Sequence, residues 1–179
     1  TPPHHAQWQH LVAAVRKQYR GLLTYSGNWD HYQQVGLYDL LDLAGMCAYF
    51  PLASRLDIAS VPVEKMTAAW QKKRVELEQF AQDLKRPLLL TEVGYLSQRG
   101  AAAWPWEEGA QKPVDLEEQR RCYQAFADAW AGSELLRGVY FWNYYGGGGR
   151  ASIGYTPRHK PAAEEMERYF LREAARPAR

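Results

Sequence analysis

A chain of 179 residues fits one domain of ordinary size with a sizeable core, and 46% apolar against 23% charged residues excludes a disordered chain. A net charge of +2, evenly mixed along the sequence, excludes recognition of nucleic acid or an anionic membrane by bulk charge. No apolar run approaches the roughly 18 residues needed to cross a bilayer, and the aromatic share of 13%, with seven Trp and twelve Tyr, exceeds what a core needs.

The N-terminal "TPPHHAQWQH" has neither an initiator Met nor a basic-then-apolar leader, as expected of a processed, trimmed or incomplete chain. His4 and His5 read as tail residues, because no partner stands at metal-ligand spacing. Residues 6–19 place Trp8, Leu11, Val12, Val15 and Tyr19 on one helical face. The first strand is expected at 21–26, "GLLTYS", followed by a short helix near 32–41. A second strand follows at 43–49, "LAGMCAY".

A long helix is predicted over 62–84, with Met66, Trp70, Leu77, Phe80 and Leu84 inward and Pro62 suited to its first turn. Its "QKKRVELE" stretch reads as a solvated face with i,i+4 pairing. The third strand is expected at 87–94, "PLLLTEVG". The next helix, 116–131, opens on a capping-box-like Asp115 and Glu118. A fourth strand at 137–143, "RGVYFWN", precedes a last amphipathic helix beginning near Pro161. "GGGG" at 146–149 reads as a flexible loop, since neither Lys-Ser/Thr nor a helix follows it. Cys47 and Cys122 are expected as free, mostly buried thiols.

The strand runs are near-continuous in hydrophobicity, which is how strands covered on both faces of a parallel sheet read. Strands alternating with helices, without hairpin turns, give a single α/β domain over 1–179 built from parallel βα units. Either a doubly wound sheet or part of a (β/α)8 barrel satisfies this order. "TYSGNWDHY" after the first strand lacks the glycine fingerprint of a dinucleotide fold, which favours the barrel.

In such folds ligands bind beyond the C-terminal strand ends. Those ends carry Asn28 and Trp29, Tyr49 and Phe50, Glu92 and Tyr95, and Trp142 and Asn143. One carboxylate among aromatics and amides suits a sugar, whose C–H faces stack on rings while its hydroxyls bond amides and carboxylates. Each position also has a plainer reading. Glu92 could be a solvated strand-end acid, Tyr49 and Trp142 could be core, and Trp104 and Trp106 could be a packed loop.

"LTYSGNWD", "LAGMCAYFPL", "RPLLLTEVGYLSQRGAAAWPWEE", "VYFWNYY" and "GYTPRHKPA", in this order, resemble the second half of a clan A retaining glycoside hydrolase. Within that clan the sequence is similar to glycoside hydrolase family 113, the (β/α)8-barrel β-mannanases. The resemblance implies the C-terminal half of a barrel, strands five to eight. It also implies retaining hydrolysis of a β-linked oligo- or polysaccharide, most simply β-1,4-mannan, with no metal or organic cofactor.

By the same resemblance Glu92 matches the nucleophile and Tyr49 the tyrosine that orients it. Trp142 matches the floor under the reacting sugar. Asn28, Trp29, Tyr95, Trp104, Trp106 and Asn143 would line the cleft. A retaining mechanism needs a second carboxyl about 5–5.5 Å away, in the family a Glu preceded by Asn on strand four. The sequence holds no Asn-Glu pair, so that residue is expected in an N-terminal half before Thr1. Glu107 and Glu108 are conceivable substitutes. A non-catalytic sugar-binding half-barrel and a structural domain remain as alternatives. The exposed edges of a half-barrel would invite pairing with another copy or with the missing half.

Overall fold

The computed structural model describes residues 4–54, 61–109 and 112–176. Four parallel strands lie side by side in chain order: β1 (Thr24–Asn28), β2 (Leu43–Cys47), β3 (Leu88–Val93) and β4 (Leu136–Phe141). Helix α1 (His5–Gln18) precedes β1, α2 (Val63–Leu84) joins β2 to β3, α3 (Leu116–Trp130) joins β3 to β4, and α4 (Ala162–Ala174) closes the order. No helix among the described residues is long and apolar enough to cross a membrane.

Side chains alternate across a strand, so β2 and β3 point Ala44, Met46, Leu88 and Leu90 to one face, and the register shift between Leu90 and Val93 brings Val93 to it as well; all are fully buried. Against them α2 sets Met66, Trp70, Leu77 and Ala81, spaced so that all fall on one side of the helix. Helix α3 lies between α2 and α4 and buries nine residues, among them Tyr123, Phe126 and Trp130. Trp70, Phe126 and Trp130 interlock edge-to-face and stacked at 5.4–6.2 Å between centroids. Burying one such side chain contributes about 1.5–3 kcal/mol. Lys85, in the left-handed conformation, ends α2 and lets the Arg86 N–H return to the Ala81 carbonyl.

Several expectations are corrected. The helix near 32–41 is two 3₁₀ turns, Tyr32–Gln34 and Tyr38–Leu40, separated by Val35, Gly36 and Leu37. Its apolar residues Tyr32 and Tyr38 are buried anchors, and the Tyr38 hydroxyl donates to the Gly45 carbonyl at 2.8 Å. His5 opens α1 and bonds Asp39 at 3.1 Å, so it is not a tail residue.

The apolar face of α1 is only half engaged. Trp8 and Val12 pack inward, while Leu11, Val15 and Tyr19 stay exposed. Likewise the strands are not covered on both faces, because the described helices of the core lie on one side, and β1 and β4, each with one strand neighbour among the described residues, are the most exposed. The glycine run is a loop, tied to the chain after it where Arg158 donates to the Gly146 carbonyl and the Gly149 N–H donates to the Arg158 carbonyl.

Candidate active site

The C-terminal ends of β2 and β3 bring Tyr49 and Glu92 together. Parallel pairing sets Cys47 beside Glu92, with a register shift after Met46, and the Ala48 N–H donates to the Glu92 carbonyl at 2.7 Å. Two residues beyond Cys47, the Tyr49 hydroxyl then reaches Glu92 Oε2 at 2.7 Å. Burial and then the neighbouring Glu92 carboxylate push the Tyr49 phenol far above its ordinary pKa, so it stays a donor. Beneath this pair the hydroxyls of Ser26 and Thr91 bond each other, and Ser26 stands 3.0 Å from the Cys47 thiol. Burial raises the Cys47 thiol, which therefore remains protonated and is no nucleophile at neutral pH.

Trp142 follows β4 and is 45% exposed, and its backbone N–H donates to the Val93 carbonyl at 2.8 Å. That crossing needs Gly94: a Cβ there would run into the Trp142 carbonyl. Asn143 stands beside it, with its Oδ1 accepting from the Tyr145 N–H at 3.2 Å and shaping the turn. At the far rim Asn28 is exposed, while Trp29 stacks on Trp106 with centroids 4.6 Å apart and meets Phe50 edge-on. This contact joins the loop after β1 to the long loop after β3.

Trp104 is placed differently. Lys112 lies over its ring at 4.4 Å and pairs with Glu107, and together with Arg99, Gly100 and Pro113 they line a groove of about 460 Å³. Glu107 is thus engaged by a cation. A second groove of about 500 Å³ runs from Trp29 and Phe50 to Lys73 and Glu76.

Tyr95 does not line the cleft. It is 0% exposed, turned to the helical side against Tyr123, because the register shift after Leu90 turns Val93 to that side and Tyr95 follows in phase with Val93. The residue that occupies the rim instead is Tyr155. Its ring meets Tyr49 edge-on at 6.0 Å, and its hydroxyl donates to the Pro105 carbonyl at 2.8 Å. Its only sequence signal is its place in "GYTPRHKPA". Among the described residues no group of three or more His, Cys, Asp or Glu is placed to hold a metal ion.

A parallel (β/α) sheet with its polar and aromatic side chains gathered at the C-terminal rim is the architecture of half a (β/α)8 barrel. The chain belongs to glycoside hydrolase family 113, whose profile matches residues 1–170. It is similar to the β-mannanase AaManA from Alicyclobacillus acidocaldarius, solved in complex with ManMIm. That match has 28% identity and a TM-score of 0.76 over 97% of this chain and 51% of the other. A family 113 β-1,4-mannanase complex matches at 23% identity and a TM-score of 0.79, covering 95% of this chain and 52% of that one.

A β-glucuronidase from Faecalibacterium prausnitzii shares the fold alone, at 13% identity and a TM-score of 0.62 over 96% of this chain and 29% of that one. The chain therefore spans about half the length of the family 113 structures it matches. No curated protein matches it.

Proposed function

We propose that this half-barrel, the C-terminal one with strands five to eight, carries the nucleophile of a retaining glycosidase acting on β-linked mannan or manno-oligosaccharides. The observation that carries the reading is the 2.7 Å bond from Tyr49 to Glu92 across adjacent strand ends of a family 113 fold. The β-mannanase neighbours supply the choice of sugar.

Glu92 attacks the anomeric carbon while the glycosidic bond breaks, giving a covalent glycosyl ester. A general acid protonates the departing oxygen and then, as base, activates the water that hydrolyses the ester. Residues 1–179 contain no Asn-Glu pair for that acid, so it comes from outside them, from the complementary part of a barrel. Tyr49 fixes the attacking oxygen, Trp142 supports the sugar, and Asn28, Trp29, Trp106 and Asn143 border the cleft.

In the full-length protein, Glu92→Ala is expected to lower mannan hydrolysis by roughly 10⁴-fold, the order lost with a covalent nucleophile. Azide should then restore turnover of an aryl β-mannoside with a good leaving group, by a single inverting displacement that yields the α-glycosyl azide. Hydrolysis at the wild-type rate in Glu92→Ala would assign the attack to another group.

The absent Asn-Glu pair favours one further reading, a half-barrel that holds sugar without cleaving it. Calorimetry separates the two. A binding module retains manno-oligosaccharide affinity in Glu92→Gln, loses it in Trp142→Ala, and releases no reducing sugar.

A further inference from the structure

The stretch "GYTPRHK", residues 154–160, is bound into the rim by buried polar contacts that the hydrolytic reading does not use. Lys160 is only 4% exposed, and its ammonium donates to the Ser97 hydroxyl at 2.7 Å and the Gly154 carbonyl at 2.9 Å. Ser97 directs its own proton at the carbonyls of Ser152 and Gly154, 2.6 and 3.0 Å away. From α3, the buried Gln119 amide donates to the carbonyls of Tyr95 and Tyr155, both at 2.8 Å. These bonds fix the loop after β4 to the loop after β3 on either side of Tyr155.

Tyr155 packs against both Tyr49 and the chain just beyond Glu92. Its ring rests on Gly94, two residues beyond Glu92, and packs with Leu96 and Ala101 in a small cluster that Tyr49 joins. The edge-on contact at 6.0 Å restricts the Tyr49 ring, and the ring direction decides where the Tyr49 hydroxyl points. Through Pro105 the Tyr155 hydroxyl also holds the loop whose Trp106 stacks on Trp29.

We infer that Tyr155 is a positioning residue: it backs Tyr49 so that the Tyr49 hydroxyl holds Glu92, and the Lys160–Ser97–Gln119 bonds keep it there. The inference rests on the proposed role of Glu92, and its test has one arm that needs no catalysis. The full-length protein is labelled with 3-fluorotyrosine, and Tyr49→Phe identifies the Tyr49 fluorine resonance. In the native background Glu92→Ala shifts that resonance. In Tyr155→Leu the resonance is expected to move or broaden and to lose its response to Glu92→Ala, while Tyr155→Phe, which keeps the ring, restores both.

The kinetic arm uses an aryl β-mannoside. Tyr155→Leu is expected to lower kcat by about 10- to 100-fold, the scale set by misplacing a reacting group, with little change in KM. The loss should largely vanish in a Tyr49→Phe background, because a residue acting through Tyr49 is not additive with it. A merely structural role would leave the two losses additive. Should Tyr155→Leu fail to fold, Lys160→Met, which keeps the ring and loosens its loop, decides by the same resonance. A Tyr49 resonance unmoved by these substitutions overturns the inference. Hydrolysis surviving Glu92→Ala overturns the nucleophile assignment instead, and the resonance still decides whether Tyr155 positions Tyr49.

Discussion

Burial lowers the Lys160 ammonium from 10.5 to about 8, and the groups it bonds are a hydroxyl and a carbonyl. An unfolded chain keeps this proton until pH 10.5, whereas the folded one releases it from about pH 8. Between those values the unfolded state binds more protons, so this group makes stability rise with pH. The buried phenols of Tyr38, Tyr49 and Tyr155, all raised by burial, act in the opposite sense at higher pH. Comparing the wild type with Lys160→Met isolates the lysine. The difference in urea midpoint is expected to shift in favour of the wild type from pH 8 to 10.5 and to stay flat below pH 8. A difference that is flat throughout would mean a solvated ammonium. The same residue marks what a sequence hides: its bond to Ser97, 63 positions earlier, emerges only from the packing of two loops.

Helix α3 begins with half a capping box. Asp115 accepts from the Glu118 N–H at 2.8 Å, as its spacing predicts, but Glu118 turns away from the reciprocal bond. Its two oxygens instead accept from the N–H groups of Gly100 and Ala102, each at 2.9 Å, anchoring the aromatic loop to the helix. The two substitutions should therefore separate. Asp115→Ala is expected to cost about 1 kcal/mol, the value of a lost N-cap. Glu118→Gln turns an amide donor toward a buried N–H donor and should cost more, toward the upper end of about 1–3 kcal/mol. Urea unfolding at pH 7 measures both, and equal losses would reduce Glu118 to a helix-start residue. Long periodic elements were legible from pattern, with α2 and α3 lying within a residue or so of the expected ranges. The stretch at 32–41 was not, since three-residue turns bury single tyrosines without establishing a period. Tyr95 misled because its place just past a strand end says nothing of the face it takes, which the bulges of β3 decide.

At the scale of the molecule, the parallel sheet was legible from the unbroken apolar runs of β2 and β3, and those runs also record cover on both faces. The described helices of the core cover one. The other carries Leu89, Thr91 and Cys47, all partly exposed, beside an outermost β4 whose Tyr140 is 66% exposed on the side away from Val139 and Phe141. At the opposite edge β1 is open as well, with Leu22, just before it, 68% exposed. Parallel strands with free edges and an uncovered apolar face recruit a partner. Residues 1–179 as a separate molecule are therefore expected to associate with rising concentration, and a chain containing the complementary strands should compete with self-association. Sedimentation velocity across a hundredfold concentration range reads this. Tyr140→Lys, which sets a charge on the open face away from the core, should move the distribution toward monomer while leaving the thermal midpoint nearly unchanged. A wild-type chain that stays monomeric throughout, with no response to Tyr140→Lys, would mean that the open face is stable in water as it stands.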